Sequence, residues 1–147
     1  MSVEEGIGVT DHRIRFRGGW ELIDLDQPGA SPVRVTLPLR SEVSPRRRIR
    51  LARKFGRPPV DDRTESIWLS LDHMPGLRSA SLNGWLLELT LPLVGRVEVP
   101  VELPDRSELV LEADLPASPA WGEVALLIRR NVTSSSEPTL GFGPNRG

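Results

Sequence analysis

The sequence contains no cysteine, which removes disulfides, thiolate metal sites and cysteine nucleophiles together. It has no tyrosine and two histidines, His12 and His73. A Ser–His–acid hydrolase needs a histidine placed between nucleophile and carboxylate, and neither histidine sits in a nucleophile motif. Two histidines without cysteine give no three-ligand zinc spacing. A Walker loop and a dinucleotide fingerprint are both missing. No stretch approaches the ~18–20 apolar residues needed to span a bilayer, so no membrane partner is expected. Residues 1–8 carry two acids, no base and no apolar run, which does not match a signal peptide. The expected location on that reading is the cytoplasm. Net charge is −1, so no global field draws the chain to nucleic acid or to acidic lipid. Lysine is nearly missing too: Lys54 stands alone among 19 Lys and Arg residues.

Proline and glycine are abundant, at 14 and 13 residues, and no long helical period survives between them. Alternation with period two takes its place. Ile14 and Phe16 alternate with Arg13, Arg15 and Arg17. Trp20 and Leu22 alternate with Glu21 and Ile23, and Val33, Val35 and Leu37 with Arg34 and Thr36. Ile49, Leu51 and Phe55 share a face against Arg48, Arg50 and Lys54. Ile67, Leu69 and Leu71 oppose Trp68 and Ser70. Asn83-Gly84 accepts positive φ at both central positions of a type I′ turn, which predicts a hairpin joining strands over residues 78–82 and 85–89. Val97, Val99, Val101 and Leu103 form the next strand, Leu109, Leu111 and Ala113 the one after, and Glu123–Arg130 the last. About nine short strands at close spacing specify an antiparallel β-sandwich or barrel. Residues 9–130 are expected to form this domain, with a loose N-terminus over residues 1–8 and a disordered Ser-, Gly- and Pro-rich tail over residues 131–147.

The order of these features resembles the N-terminal sugar-binding domain of glycoside hydrolase family 2, the β-galactosidase and β-glucuronidase type. The resemblance runs from about residue 16 to residue 130. A Trp-containing strand, Gly19-Trp20-Glu21-Leu22, precedes a "V-x-L-P" phrase at Val35-Thr36-Leu37-Pro38. Residues 49–58 stand where the family reads "Y-R-R-x-F-x-x-P". Residues 67–84, ending in Leu82-Asn83-Gly84, follow the family's "V-x-L-x-F-x-G-V-x-x-x-A-x-V-x-L-N-G". Pro104 to Leu111 parallels its later "G-x-N-x-L-x-V" strand, although Asp105-Arg106-Ser107 replaces the "G-x-N" and Ser81 replaces a bulky residue. The resemblance implies an all-β, antiparallel, galactose-binding-like jelly roll. In that family the catalytic glutamates sit in a separate barrel, for which this chain has no room. It therefore implies no catalytic residue at any position here and no cofactor. The functional expectation is a non-catalytic module that binds a glycan. The alternative is a structural or protein-interaction domain with no small-molecule ligand.

Three features carry candidate chemistry. Sugars stack their C–H faces on aromatic rings, and Trp68, Trp85 and Trp121 are the candidate ligand-binding rings, Trp20 being read as core. The competing reading is that these rings close the ends of the sandwich, since each buries roughly 150–250 Å², and the lack of tyrosine counts against a sugar surface. A structural calcium ion has candidate ligands in Asp24, Asp26, Asp61 and Asp62, against the plainer reading of solvated turn acids. The run Pro45-Arg46-Arg47-Arg48-Ile49-Arg50, with Arg13, Arg15 and Arg17, resembles a phosphate-binding patch. Outward Glu98, Glu102, Glu108 and Glu112 offer those arginines cross-strand partners instead. On the pairing reading, duplex DNA gives no measurable binding at physiological salt in a fluorescence anisotropy titration. Micromolar affinity with a steep salt slope would make the basic run a nucleic-acid surface.

Overall fold

The computed structural model describes residues 10–27, 29, 31–40, 47–115 and 120–130. The expected loose N-terminus (1–8), the expected tail (131–147), Pro45, Arg46 and the loop residues 116–119 lie outside the described residues. Ten strands run in chain order: β1 Thr10–Arg15, β2 Trp20–Asp24, β3 Val33–Val35, β4 Arg47–Gly56, β5 Glu65–Asp72, β6 Leu77–Leu82, β7 Trp85–Leu86, β8 Val97–Val101, β9 Arg106–Leu115 and β10 Glu123–Arg130. They form a four-stranded sheet ordered β1-β10-β5-β8 and a six-stranded sheet ordered β3-β2-β4-β9-β6-β7. Every pairing is antiparallel. The fold is thus an all-β sandwich, as the alternation requires. No helix among the described residues is long and apolar enough to cross a membrane.

The alternation explains which faces meet. Ile49, Leu51 and Phe55 of β4 and Leu109, Leu111, Ala113 and Leu115 of β9 are buried. They face Ile67, Leu69 and Leu71 of β5 and Val124 and Leu126 of β10 in one continuous core. Each fully buried Leu or Ile of this kind contributes roughly 1.5–3 kcal/mol. The opposite face of β4 and β9 carries ion pairs. Arg50 Nη2 lies 3.1 Å from Glu112, and Arg48 Nε and Arg78 Nη1 lie 3.1 and 3.0 Å from the two oxygens of Asp114. Arg50 and Glu112 are direct register partners, as are Lys54 and Glu108. The cross-strand pairing expected with the glutamate row is therefore present at Arg50 with Glu112, while Arg48 pairs with Asp114 instead.

Residues 82–85 form the expected two-residue turn, with φ of 53° at Asn83 and 84° at Gly84. Asn83 does more than tolerate the turn. Its side-chain Nδ2 donates to Ser107 Oγ at 3.2 Å, and its Oδ1 accepts from the Glu108 amide at 2.9 Å, tying the turn to β9. The strand after it is shorter than expected, stopping at Leu86 rather than residue 89. Leu87, Leu89 and Leu93 turn inward and pack against the core. Core burial thus outweighs continued pairing along an edge whose far side has no partner strand.

Two outcomes test this architecture. No atom lies within 4 Å of a Cβ built at Gly84, so Gly84→Val acts through backbone strain alone. A loss of about 1–3 kcal/mol is expected, read as a fall of several degrees in thermal midpoint, and an unchanged midpoint would contradict the turn type. Hydrogen bonds from Arg48 and then Arg78 hold the Asp114 carboxyl below its ordinary value. A carboxyl with a lowered folded-state pKa stabilises the fold above its unfolded value and loses that contribution as the pH falls through its folded-state value. Asp114→Asn should therefore lower the midpoint slightly at pH 7. The gap to wild type should close below about pH 3.9. A gap that widens in acid would overturn the assignment.

Candidate functional site

The candidate rings meet three different fates. Trp121 is fully buried: its backbone bridges Leu39, and its Nε1–H donates to the Pro75 carbonyl at 2.7 Å. It plugs one end of the core, as Trp20 does through a 2.8 Å bond from its Nε1–H to the Phe16 carbonyl. The expectation that Trp121 is open to a ligand is corrected on that ground. Trp68 lies half-buried on the outer face of the four-stranded sheet. Its Nε1–H reaches Ser66 Oγ at 3.1 Å, and the Arg129 guanidinium sits 5.0 Å over its ring. Arg129 is in turn paired with Glu98, so an ion pair covers that face of the indole. Trp85 alone of the four is open, at 79% exposure. The three rings do not form one surface.

The position of Trp85 follows from the sheets' unequal widths. Its register partner is the core residue Leu82, so strand pairing puts both on the core side of the six-stranded sheet. β7 is the sixth strand of that sheet, and the facing sheet has only four. Nearby in the chain, Leu86, Leu91 and Val94 are also exposed, Val94 at 92%. The hairpin and the segment after it thus carry most of the large apolar side chains that the described surface exposes.

A cleft at one end of the sandwich is the larger concavity. It has a volume of about 730 Å³ and is lined by Arg57, Asp62, Glu65, Ser66, Glu102 and Leu103 among others. It forms where the β4–β5 connection passes the end of β8, and Arg57 pairs with Asp62 at its wall. Sequence reading had noted Asp62 and Glu102 separately, as a turn acid and as a strand-face acid. Nothing in the sequence joins segments 57–66 and 100–103 into one wall.

The aspartates considered for calcium are engaged within the fold, Asp62 by Arg57. Asp24 Oδ1 accepts from the Asp26 amide at 2.9 Å, Asp26 Oδ2 from the Arg48 amide at 3.0 Å, and Asp61 Oδ1 from the Arg63 amide at 3.0 Å. Among the described residues the three-ligand grouping is a different one, Asp72, His73 and Glu123, with ligand atoms within 4.8 Å of one another. His73 takes φ 54° there, and its Nε2 lies 3.7 Å from Asp72 and 3.9 Å from Glu123. Arg96 already approaches Asp72 at 3.4 Å, so one of the two carboxylates is partly neutralised by the protein itself. No serine–histidine hydrogen bond occurs among the described residues.

Neither the protein-family models nor the curated proteins give a match to this chain. Solved structures do. An FMN-binding β-glucuronidase from Facaelibacterium prausnitzii L2-6 superposes with a TM-score of 0.61 at 16% identity, covering 80% of this chain and 22% of its own. A β-glucuronidase from Bifidobacterium dentium, complexed with coumarin-3-O-glucuronide, gives a TM-score of 0.60 at 15% identity, covering 84% and 31%. The chain thus spans under a third of either enzyme. At these identities the likeness is one of fold, and it agrees with the resemblance to the sugar-binding domain of glycoside hydrolase family 2.

Proposed function

We propose that this chain is a non-catalytic binding module for carbohydrate, with the sugar held in the cleft between the β4–β5 connection and the end of β8. The observation that carries the reading is that cleft. Its volume of about 730 Å³ falls in the range of about 300–1,000 Å³ typical of small-ligand sites. Its lining suits a polyol, because Asp62, Glu65 and Glu102 accept hydrogen bonds from hydroxyls while Arg57 and Ser66 donate to them. The sandwich shared with two β-glucuronidases supports a sugar-related role. A separate observation favours a second reading, a protein-docking module. Burying a Trp removes roughly 150–250 Å² from water, and Trp85 forgoes most of that gain beside exposed Leu86 and Val94. Clustered exposed apolar groups of this sort mark contact surfaces.

The test is a thermal-shift and tryptophan-fluorescence screen of the intact chain against plant, algal and bacterial polysaccharides. A ligand at one hundred times its Kd adds about 2.7 kcal/mol to stability, a shift of several degrees. Binding lost in Glu102→Gln and retained in Trp85→Ala places the sugar in the cleft. Binding lost in Trp85→Ala alone moves it to the hairpin. No response across the panel would leave the docking module as the function.

A further inference from the structure

The opposite end of the four-stranded sheet carries a second, smaller cavity of about 240 Å³. β1 is the edge strand there, and strand alternation sends Ile14 and Phe16 inward and Arg13, Arg15 and Arg17 to the other side. The Phe16 amide extends the ladder by donating to the Val124 carbonyl at 2.9 Å, and the Leu37 amide donates to the Arg17 carbonyl at 2.8 Å. The end of β1, the segment after β3 and the start of β10 are thereby held together. The three arginines line the cavity together with the apolar residues Phe16, Leu37 and Val124.

These arginines differ from six others in the molecule. Arg48, Arg50, Arg57, Arg78, Arg96 and Arg129 each hold a carboxylate. Among the described residues no ion pair or side-chain hydrogen bond engages Arg13, Arg15 or Arg17. Arg13 goes further, since its Nε is buried and has no hydrogen-bond partner. A buried unsatisfied donor is costly, and more so on a charged group. Glu123 shares the cavity wall, but its carboxylate is turned to His73 at 3.9 Å rather than to an arginine. Three arginines thus line one cavity, one of them with a buried donor unmet, and the planar guanidinium fork suits oxyanions.

We propose that this cavity binds a compact oxyanion, the carboxylate or phosphate of a small organic molecule, through Arg13, Arg15 and Arg17. At about 240 Å³ it lies below the range of about 300–1,000 Å³ for larger ligands, so it takes a single acidic unit and not an extended chain. It is separate from the sugar cleft, lying at the other end of the sheet and beside the other edge strand.

Isothermal titration calorimetry of the intact chain with sodium phosphate and with sodium glucuronate, at ionic strength held constant with sodium chloride, tests it. The expected result is one saturable site for at least one of the two anions, weakened about tenfold or more in Arg13→Gln and in Arg15→Gln. Arg34→Gln, on exposed β3, should leave the affinity unchanged. Saturation by phosphate alone identifies a phosphorylated ligand, and by glucuronate a sugar acid. If Arg13→Gln does not fold, Arg15→Gln carries the test, because Arg15 is exposed. No saturable heat with either anion, or equal affinity in Arg15→Gln and wild type, overturns the site.

Discussion

The ten-residue antiparallel pairing of β4 with β9 is the constraint on which the remaining structure depends. It runs without a register shift from Arg47 opposite Leu115 to Gly56 opposite Arg106. Side chains alternate across a sheet with a period of two, so a slip of one residue would carry Arg48 and Arg50 into the core and Ile49 and Leu51 into water. Two independent penalties therefore hold the register: desolvation of the guanidinium groups on one face and loss of aliphatic burial on the other. The ion pairs to Glu112 and Asp114 are exposed and individually weak, worth about 0–1 kcal/mol each. They refine a register that the core has already chosen. β2 and β6 are laid against this central pair, and the Asn83-Gly84 turn is anchored to it through Ser107 and Glu108.

With the central pair fixed, the surface follows from a mismatch in width. Six strands face four, so a margin of the wider sheet has no opposite layer. Leu87, Leu89 and Leu93 fold back over part of this margin. Trp85 remains beyond their reach, although strand pairing places it on the same side as core Leu82. Its exposure is a consequence of topology, and it persists because nothing in the described chain is available to cover it. The sugar cleft and the arginine-lined cavity also arise at boundaries, one at each end of the four-stranded sheet, where connecting segments form part of their walls.

Strand positions were legible in the sequence because alternation records which side of a strand is apolar. The Asn-Gly turn was legible for a similar local reason, since few dipeptides accept positive φ twice. The fates of the tryptophans were not. Period two assigned Trp68 to the face away from Ile67, Leu69 and Leu71 correctly, but it could not say that Arg129 from β10, sixty-one positions along the chain, would lie over it. Trp121 follows a Pro-containing stretch of sequence with no period to read, and its burial depends on meeting Leu39 and Pro75. Trp85 showed the reverse: a core-side residue by its hairpin register, yet exposed because the opposing sheet is narrower. The cleft residues escaped for the same reason, since their walls come from segments about forty residues apart. Local patterns fixed the faces, and only the tertiary arrangement decided which faces were covered.

The outer face of the four-stranded sheet shows how the same residue type takes on different work. β10 is buried on both sides, with Ala125 and Leu127 as inaccessible as Leu126. Register sets Leu127 between Arg13 and Trp68, and Ala125 between Arg15 and Ser70. This places an apolar strip beside a row of arginines, whose aliphatic stems are suited to shield it. Arg129 completes that arrangement with a carboxylate, Glu98. Arg13, on the other side of the strip, does not, and its Nε is buried without a partner. A sandwich needing only a cover for Leu127 could use a shorter or uncharged side chain and avoid leaving a charged donor unmet. The cost of the arginine is understandable if the proposed oxyanion completes its unmet donor. Arg129 thus has its anion, Glu98, within the fold, whereas among the described residues Arg13 has none.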